Sequence, residues 1–181
     1  REGFDVTLLD VHPNGVITVE DVANAIREDT CLVTIMFANN EIGTIQPIKE
    51  IGALCREKKI PFHTDAVQAV GHVPINVKEM NIDMLSLSGH KFHSPKGVGA
   101  LYVRRGIPLK NLIEGGQQEK GKRGGTENMP GIVGMAAALK ESTDHMAENM
   151  KKITVLREKL ITGLEKIPHS KLNGDRNLRV P

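Results

Sequence analysis

The sequence predicts an α/β fold, a mostly parallel sheet flanked by helices. Short apolar runs alternate with segments of helical period, in the order strand, helix, strand, helix, strand. Within one domain that alternation builds a parallel sheet with crossover helices on its faces. The runs also stop on polar residues, at Asn39-Asn40, at Asp65 and at Ser88-Gly89-His90-Lys91. In open α/β sheets the carboxyl ends of the strands border the ligand crevice, so these stops predict a site on one rim. Finally, 181 residues, 39% hydrophobic and 25% charged, suffice for one domain with a substantial core.

Composition narrows the function classes. Lys and Arg number 24 against 22 Asp and Glu, a net +2 that offers no basic surface for nucleic acid. No apolar run approaches the roughly 18 residues a membrane span requires, and nothing at the start resembles a signal peptide. Neither nucleic acid nor membrane is expected as a partner. Cys31 and Cys55 both lie in apolar-patterned segments. They are predicted to be buried free thiols in a reducing compartment, hence a cytoplasmic protein.

Residues 4–11 read as a strand closed by the Pro13-Asn14-Gly15 turn. Thr18 is placed to cap a helix from Val19 to about Arg27, with Glu20 and Asp21 where the helix dipole favours acid. Residues 32–37 form a continuous apolar run, the pattern of a strand buried on both faces. Pro47 opens a helix carrying Ile51, Leu54 and Cys55 and closing at Lys58 and Lys59. A short strand, Phe62-His63-Thr64-Asp65, ends on an acid, and after a connection containing Gln68 the run 82–87 leads toward Lys91. Residues 97–103 form the strand beyond it. The polar, glycine-rich stretch 115–128 is expected to be a surface loop. Pro130 then starts one long helix, and Ile153, Leu156, Leu160 and Leu164 mark a second that runs to Pro168. Between them, 144–148 reads as a solvated acidic face.

The strands flanking Ser88-Gly89-His90-Lys91 would hold Lys91 at a sheet end with little freedom. A lysine in a partly desolvated pocket has its pKa lowered, and its free amine can form a Schiff base with a carbonyl. Ser88, the Gly89 amide and His90 are donors suited to a phosphate beside it. Asp65 could hold a proton on a pyridine nitrogen, Asn40 or Gln68 could bond a phenolic oxygen, and His63 would lie near the ring. These are the parts a pyridoxal phosphate enzyme needs. Two other readings compete. Lys91 could be a solvated hairpin lysine, and His63 with Asp65, or His90 with His93, could chelate a metal.

Five ordered segments decide between them: Phe37-Ala38-Asn39-Asn40-Glu41-Ile42-Gly43, His63-Thr64-Asp65-Ala66-Val67-Gln68, Ser86-Leu87-Ser88-Gly89-His90-Lys91, Pro95-Lys96-Gly97-Val98-Gly99-Ala100-Leu101 and Arg123-Gly124-Gly125-Thr126-Glu127-Asn128. In these the chain resembles the class V aminotransferase family, and within it the cysteine desulfurases of the nitrogen-fixation type and the similar selenocysteine lyases. The resemblance covers residues 4–164.

It implies the large domain of a fold type I pyridoxal phosphate enzyme, incomplete here. Residues 1–164 would belong to that domain, and 165–181 would begin the connection to a small C-terminal domain. Lys91 would be the Schiff-base lysine and the base that moves the substrate α proton. Asp65 would pair with the pyridinium nitrogen, and Gln68 with the phenolic oxygen. Asn40 would lie near that oxygen and the substrate carboxylate. Ser88 and His90 would hold the phosphate, joined by Thr126 from the partner subunit of a homodimer. The implied reaction turns L-cysteine into L-alanine and leaves its sulfur as a persulfide on an enzyme cysteine, for iron–sulfur or thio-cofactor assembly through a sulfur-acceptor scaffold protein. Selenocysteine lyase or another class V lyase or aminotransferase is the alternative chemistry. In the family the nucleophilic cysteine and a carboxylate-binding arginine lie downstream of the position of Pro181. A threonine-containing phosphate loop and a ring-stacking histidine lie upstream of that of Arg1. Gln117 stands where the family more often has glycine. These 181 residues alone are therefore expected to be inactive, a folded piece providing scaffold and dimer contacts.

Overall fold

The computed structural model describes residues 3–181. Helix α1 spans Val19–Ala25, shorter at its end than the sequence suggests. Thr18 caps it reciprocally with Asp21: the Asp21 amide donates to Thr18 Oγ1 at 3.1 Å, and the Thr18 amide to Asp21 Oδ2 at 2.7 Å. Strand β1 is Val33–Met36, helix α2 Ile48–Lys58 and strand β2 Phe62–Asp65. Strand β3, Met84–Ser88, runs into a 3-10 turn over Gly89–Phe92 and returns as β4, Gly99–Val103. A short kinked turn, α3, Gln118–Gly121, interrupts the glycine-rich loop, with Glu119 and Lys120 in left-handed conformation. Helices α4, Met129–Asp144, and α5, Met146–Leu164, follow. They meet at His145, so the acidic stretch there is the joint between two helices.

The sheet has the order β1-β2-β3-β4. The first three strands are parallel, and β4 pairs antiparallel with β3. The mostly parallel sheet predicted from the alternation is therefore present. Ile51, Cys55, Phe62, Ala66, Ile82 and Phe92 form the centre of the core, each at most 1% exposed. On the other face of the sheet, alternate residues Thr34, His63, Asp65 and Ser86 stand exposed or half-buried.

A carboxylate holds the amino ends of the central strands. Asp83, 4% exposed, accepts the Phe62 amide at 3.0 Å on Oδ2 and faces Arg56 and Arg104 with Oδ1. A buried carboxylate is tolerable only with such partners.

Three expectations are corrected. Residues 4–11 form no strand: no neighbour among the described residues pairs with their backbone, and Phe4, Val6 and Leu8 are exposed. The apolar run at 32–37 is not buried on both faces: Leu32 and Thr34 are exposed while Val33 and Phe37 are buried, and β1 lies at the edge of the sheet. Only one of the two thiols is buried, since Cys31 lies exposed ahead of β1 while Cys55 packs in the core. Residues 165–181 turn back onto the body of the chain, where Arg179 bridges to Thr44.

Candidate active site

Parallel strands put their carboxyl ends on one edge, and the register here aligns them closely. Met36 pairs with Asp65 and Asp65 with Ser86. The Phe37 amide donates to the Asp65 carbonyl at 2.7 Å, and the Ala66 amide to the Ser86 carbonyl at 3.0 Å. Asn40 follows the end of β1 by four residues, Gln68 the end of β2 by three and Lys91 the end of β3 by three. The structure thus brings Asn40, Asp65, Gln68, Ser88, His90 and Lys91 to one rim of the sheet.

Each has a local cause. Asp65 Oδ1 accepts the Val67 amide at 3.0 Å, which turns the carboxylate against the start of the following turn. Gln68 sits half-buried inside that turn, whose Ala69 and Val70 amides return to the Ala66 carbonyl. Ser88 Oγ and His90 Nδ1 lie 2.8 Å apart, so a hydroxyl and an imidazole present their polar atoms together. The Gly89 amide, expected as a phosphate donor, instead donates to the Val98 carbonyl at 2.9 Å and closes the hairpin. A Cβ at Gly89 would fall 2.7 Å from Ser94 Oγ and 3.1 Å from the Val98 carbonyl, so only glycine permits this turn. Lys91 is half-buried, and its carbonyl is held by His72 Nε2 at 3.0 Å. Asn40 is exposed at the tip of a turn stabilised by Asn39, whose Oδ1 accepts the Glu41 and Ile42 amides at 2.9 and 3.0 Å. Thr126 lies exposed in the loop ahead of α4.

Behind the rim, the His63 ring spans the sheet. Its Nδ1 lies 2.7 Å from Thr34 Oγ1 and its Nε2 2.8 Å from Ser86 Oγ. Burial pushes the His63 pKa down, and the Asp65 carboxylate opposes that only in part. A neutral imidazole follows, with both nitrogens engaged. A metal at His63 and Asp65 would have to break those bonds, and among the described residues no group of three or more His, Cys, Asp or Glu converges.

The rim is open. A cavity of about 390 Å³ lies elsewhere, lined by Phe37, Ile48, Met80 and Leu178 among others, and a second of about 320 Å³ lies against Val70, Pro74 and Leu139. Neither contains a predicted site residue. Chemically, the rim offers an anion site at Ser88 and His90, a carboxylate for a cationic nitrogen at Asp65, and an amine for a carbonyl at Lys91. Sequence reasoning missed His72 and Asp83. His72 lies in a turn without periodicity, and Asp83 sits inside an apolar run that reads as plain strand.

Comparison with known proteins places this chain in a family. The Aminotransferase class-V model matches residues 1–180. A protein of Clostridium botulinum named cysteine desulfurase IscS is 58% identical over 179 residues, which are 98% of this chain and 45% of that protein. One of the same name from Methanosarcina thermophila is 55% identical over 99% of this chain and 44% of its own length. Among solved structures, a NifS-like protein superposes with a TM-score of 0.94 at 41% identity, over 99% of this chain and 50% of that one. The structure of SspA in complex with cysteine superposes with a TM-score of 0.75 at 54% identity, over 76% of this chain and 40% of that one. The chain spans about half the length of the relatives it matches. With residues 1–180 matched by that model and 98% of the chain by a relative at 58% identity, the chain belongs to the class-V aminotransferase family.

Proposed function

We propose that this chain carries the cofactor-binding part of a pyridoxal phosphate-dependent cysteine desulfurase. The observation that carries the reading is the alignment of Asp65, the Ser88–His90 pair and Lys91 on adjacent parallel strand ends. The donor set fits the group. Ser88 Oγ and His90 Nδ1, 2.8 Å apart, suit a phosphate, the Asp65 carboxylate suits a protonated ring nitrogen, and the Lys91 amine suits an aldehyde. Identity of 55–58% to proteins named cysteine desulfurase supports the reaction, and the cysteine complex of a structural neighbour supports the substrate.

Bound pyridoxal phosphate supplies an electron sink that acidifies the Cα–H of an attached amino acid. Lys91 Nζ takes that proton from Cα and returns one to the carbon chain. Asp65 keeps the ring nitrogen protonated. Asn40 and Gln68 would orient the phenolic edge, and Asn40 would also bind the substrate carboxylate. The cysteine Cβ–S bond breaks as a thiolate takes the sulfur, Cβ gains a proton, and L-cysteine plus a thiol becomes L-alanine plus a persulfide. Neither cysteine of this chain is that thiol. Cys31 stands at the amino end of β1, opposite the rim, and Cys55 is buried with its pKa pushed up to about 11 by desolvation and by Asp83. The thiol comes from elsewhere in the full-length protein, so these 181 residues alone do not turn over.

The same reading makes the protein a homodimer, with exposed Thr126 reaching the partner's phosphate site, and gives it a sulfur-acceptor scaffold protein as client. Two free cysteines fit the cytoplasm as its compartment. The large domain would end near Leu164. The test is stoichiometry: the full-length protein should form one alanine per cysteine consumed, and Lys91→Ala should lower turnover by at least about 10²-fold. Undiminished turnover in that variant would refute the reading.

A further inference from the structure

The turn that carries Asn40 is fastened from outside by the last residues of the chain. The Ile45 amide donates to the Leu178 carbonyl at 2.8 Å, and the Val180 amide to the Gly43 carbonyl at 2.9 Å. Thr44 and Arg179 thereby face each other in an antiparallel bridge. The Arg179 side chain then crosses Gly43, where a Cβ would meet its Nη2 at 3.5 Å and its Nε at 3.6 Å, and donates from Nη2 to the Ile42 carbonyl at 2.8 Å. Gly43 has φ +73°, a backbone conformation that a side chain would strain in any case.

The position is costly for a cation. Arg179 Nη1 is buried without a hydrogen-bond partner among the described residues. Desolvation, and then the neighbouring Arg157, push the Arg179 pKa down. The Glu158 and Asp175 carboxylates offset that shift only in part. The guanidinium's bond to the Ile42 carbonyl, by contrast, ties one specific turn.

We infer that Arg179 is a positioning residue for the cofactor site, locking the 39–44 turn so that Asn40 is presented at the rim. The inference rests on the reading of Asn40 as a cofactor and substrate contact. Through Arg179, residues 178–180 and the Asn40 turn behave as one unit, so motion of the chain beyond α5 is felt at the rim.

The test uses the full-length protein carrying Arg179→Met, Arg179→Lys or Asn40→Ala. In the cofactor-free form, hydrogen exchange of the 39–44 amides should rise about tenfold or more in Arg179→Met, the loss expected for a bond from a charged donor. Arg179→Lys should restore part of the protection, and β2 and β3 should be unchanged in both. With pyridoxal phosphate bound, Arg179→Met and Asn40→Ala should weaken cofactor retention and displace the pH dependence of its visible band in the same direction. Unchanged exchange at 39–44 would overturn the anchoring. Faster exchange with cofactor retention and band unchanged in Arg179→Met, while Asn40→Ala alters both, would overturn the coupling. An Asn40→Ala protein identical to wild type in both readouts would overturn the role of Asn40, and the coupling with it, while leaving Lys91 and Asp65 untouched.

Discussion

His72 Nε2 lies 3.0 Å from the carbonyl oxygen of Lys91. That contact ties the turn after β2 to the turn after β3, so the acid and the amine of the rim are braced against each other. The brace continues through α4, where Ser142 Oγ donates to the Phe92 carbonyl at 3.4 Å and the Cβ of Ser142 lies close against Gly71.

His72→Ala should therefore loosen the Lys91 turn without removing any group that touches the cofactor. Loss of one such bond amounts to about 1 kcal/mol. Titration of the cofactor-free protein should show pyridoxal phosphate affinity reduced by about fivefold, with His72→Gln closer to wild type.

Asp83 presents the larger structural risk. Truncation to Ala would leave Arg56, Arg104 and the Phe62 amide without their shared acceptor at a site 4% exposed. Breaking a buried ion pair costs about 3–5 kcal/mol, and with the two arginines partly exposed the lower end is expected. Denaturant unfolding should show Asp83→Ala destabilised by about 3 kcal/mol and Arg104→Ala by much less.

The His63 ring makes stability depend on pH in one direction. Its pKa in the folded chain is depressed below the ordinary value of 6.5, so the unfolded chain binds the proton first. Stability is complete above that value and declines as pH falls through it. His63→Gln, which can still bridge Thr34 and Ser86, should flatten the decline between pH 7 and pH 5 in thermal melts.

The two thiols should react differently. Cys31 is exposed, whereas Cys55 is buried with a pKa near 11, so little thiolate forms there at neutral pH. Brief alkylation of the native protein followed by peptide mapping should label Cys31 and spare Cys55 until denaturant is added.

Much of the site was legible because it sits where local pattern stops. Phe62–Asp65 was read residue for residue, since an apolar alternation ends abruptly on an acid. Lys91 was legible because two strand-like runs leave it no room except a hairpin end. Residues 4–11 have equal alternation and form no strand, because a strand exists only through a neighbour's backbone. Cys31 looked buried because it adjoins an apolar run, yet it precedes the strand that would have covered it. Asp83 and Arg179 could not be read, because their partners lie 21 and 137 residues away in the chain and only the fold brings them together.

Borohydride reduction tests most directly whether Lys91 is the amine that holds the cofactor. The full-length protein is loaded with pyridoxal phosphate, reduced and mapped by mass spectrometry. A single pyridoxyl group on Lys91 Nζ is the predicted result, lost in Lys91→Ala. Modification at another lysine, or adducts scattered over the surface with Lys91 bare, would contradict the account.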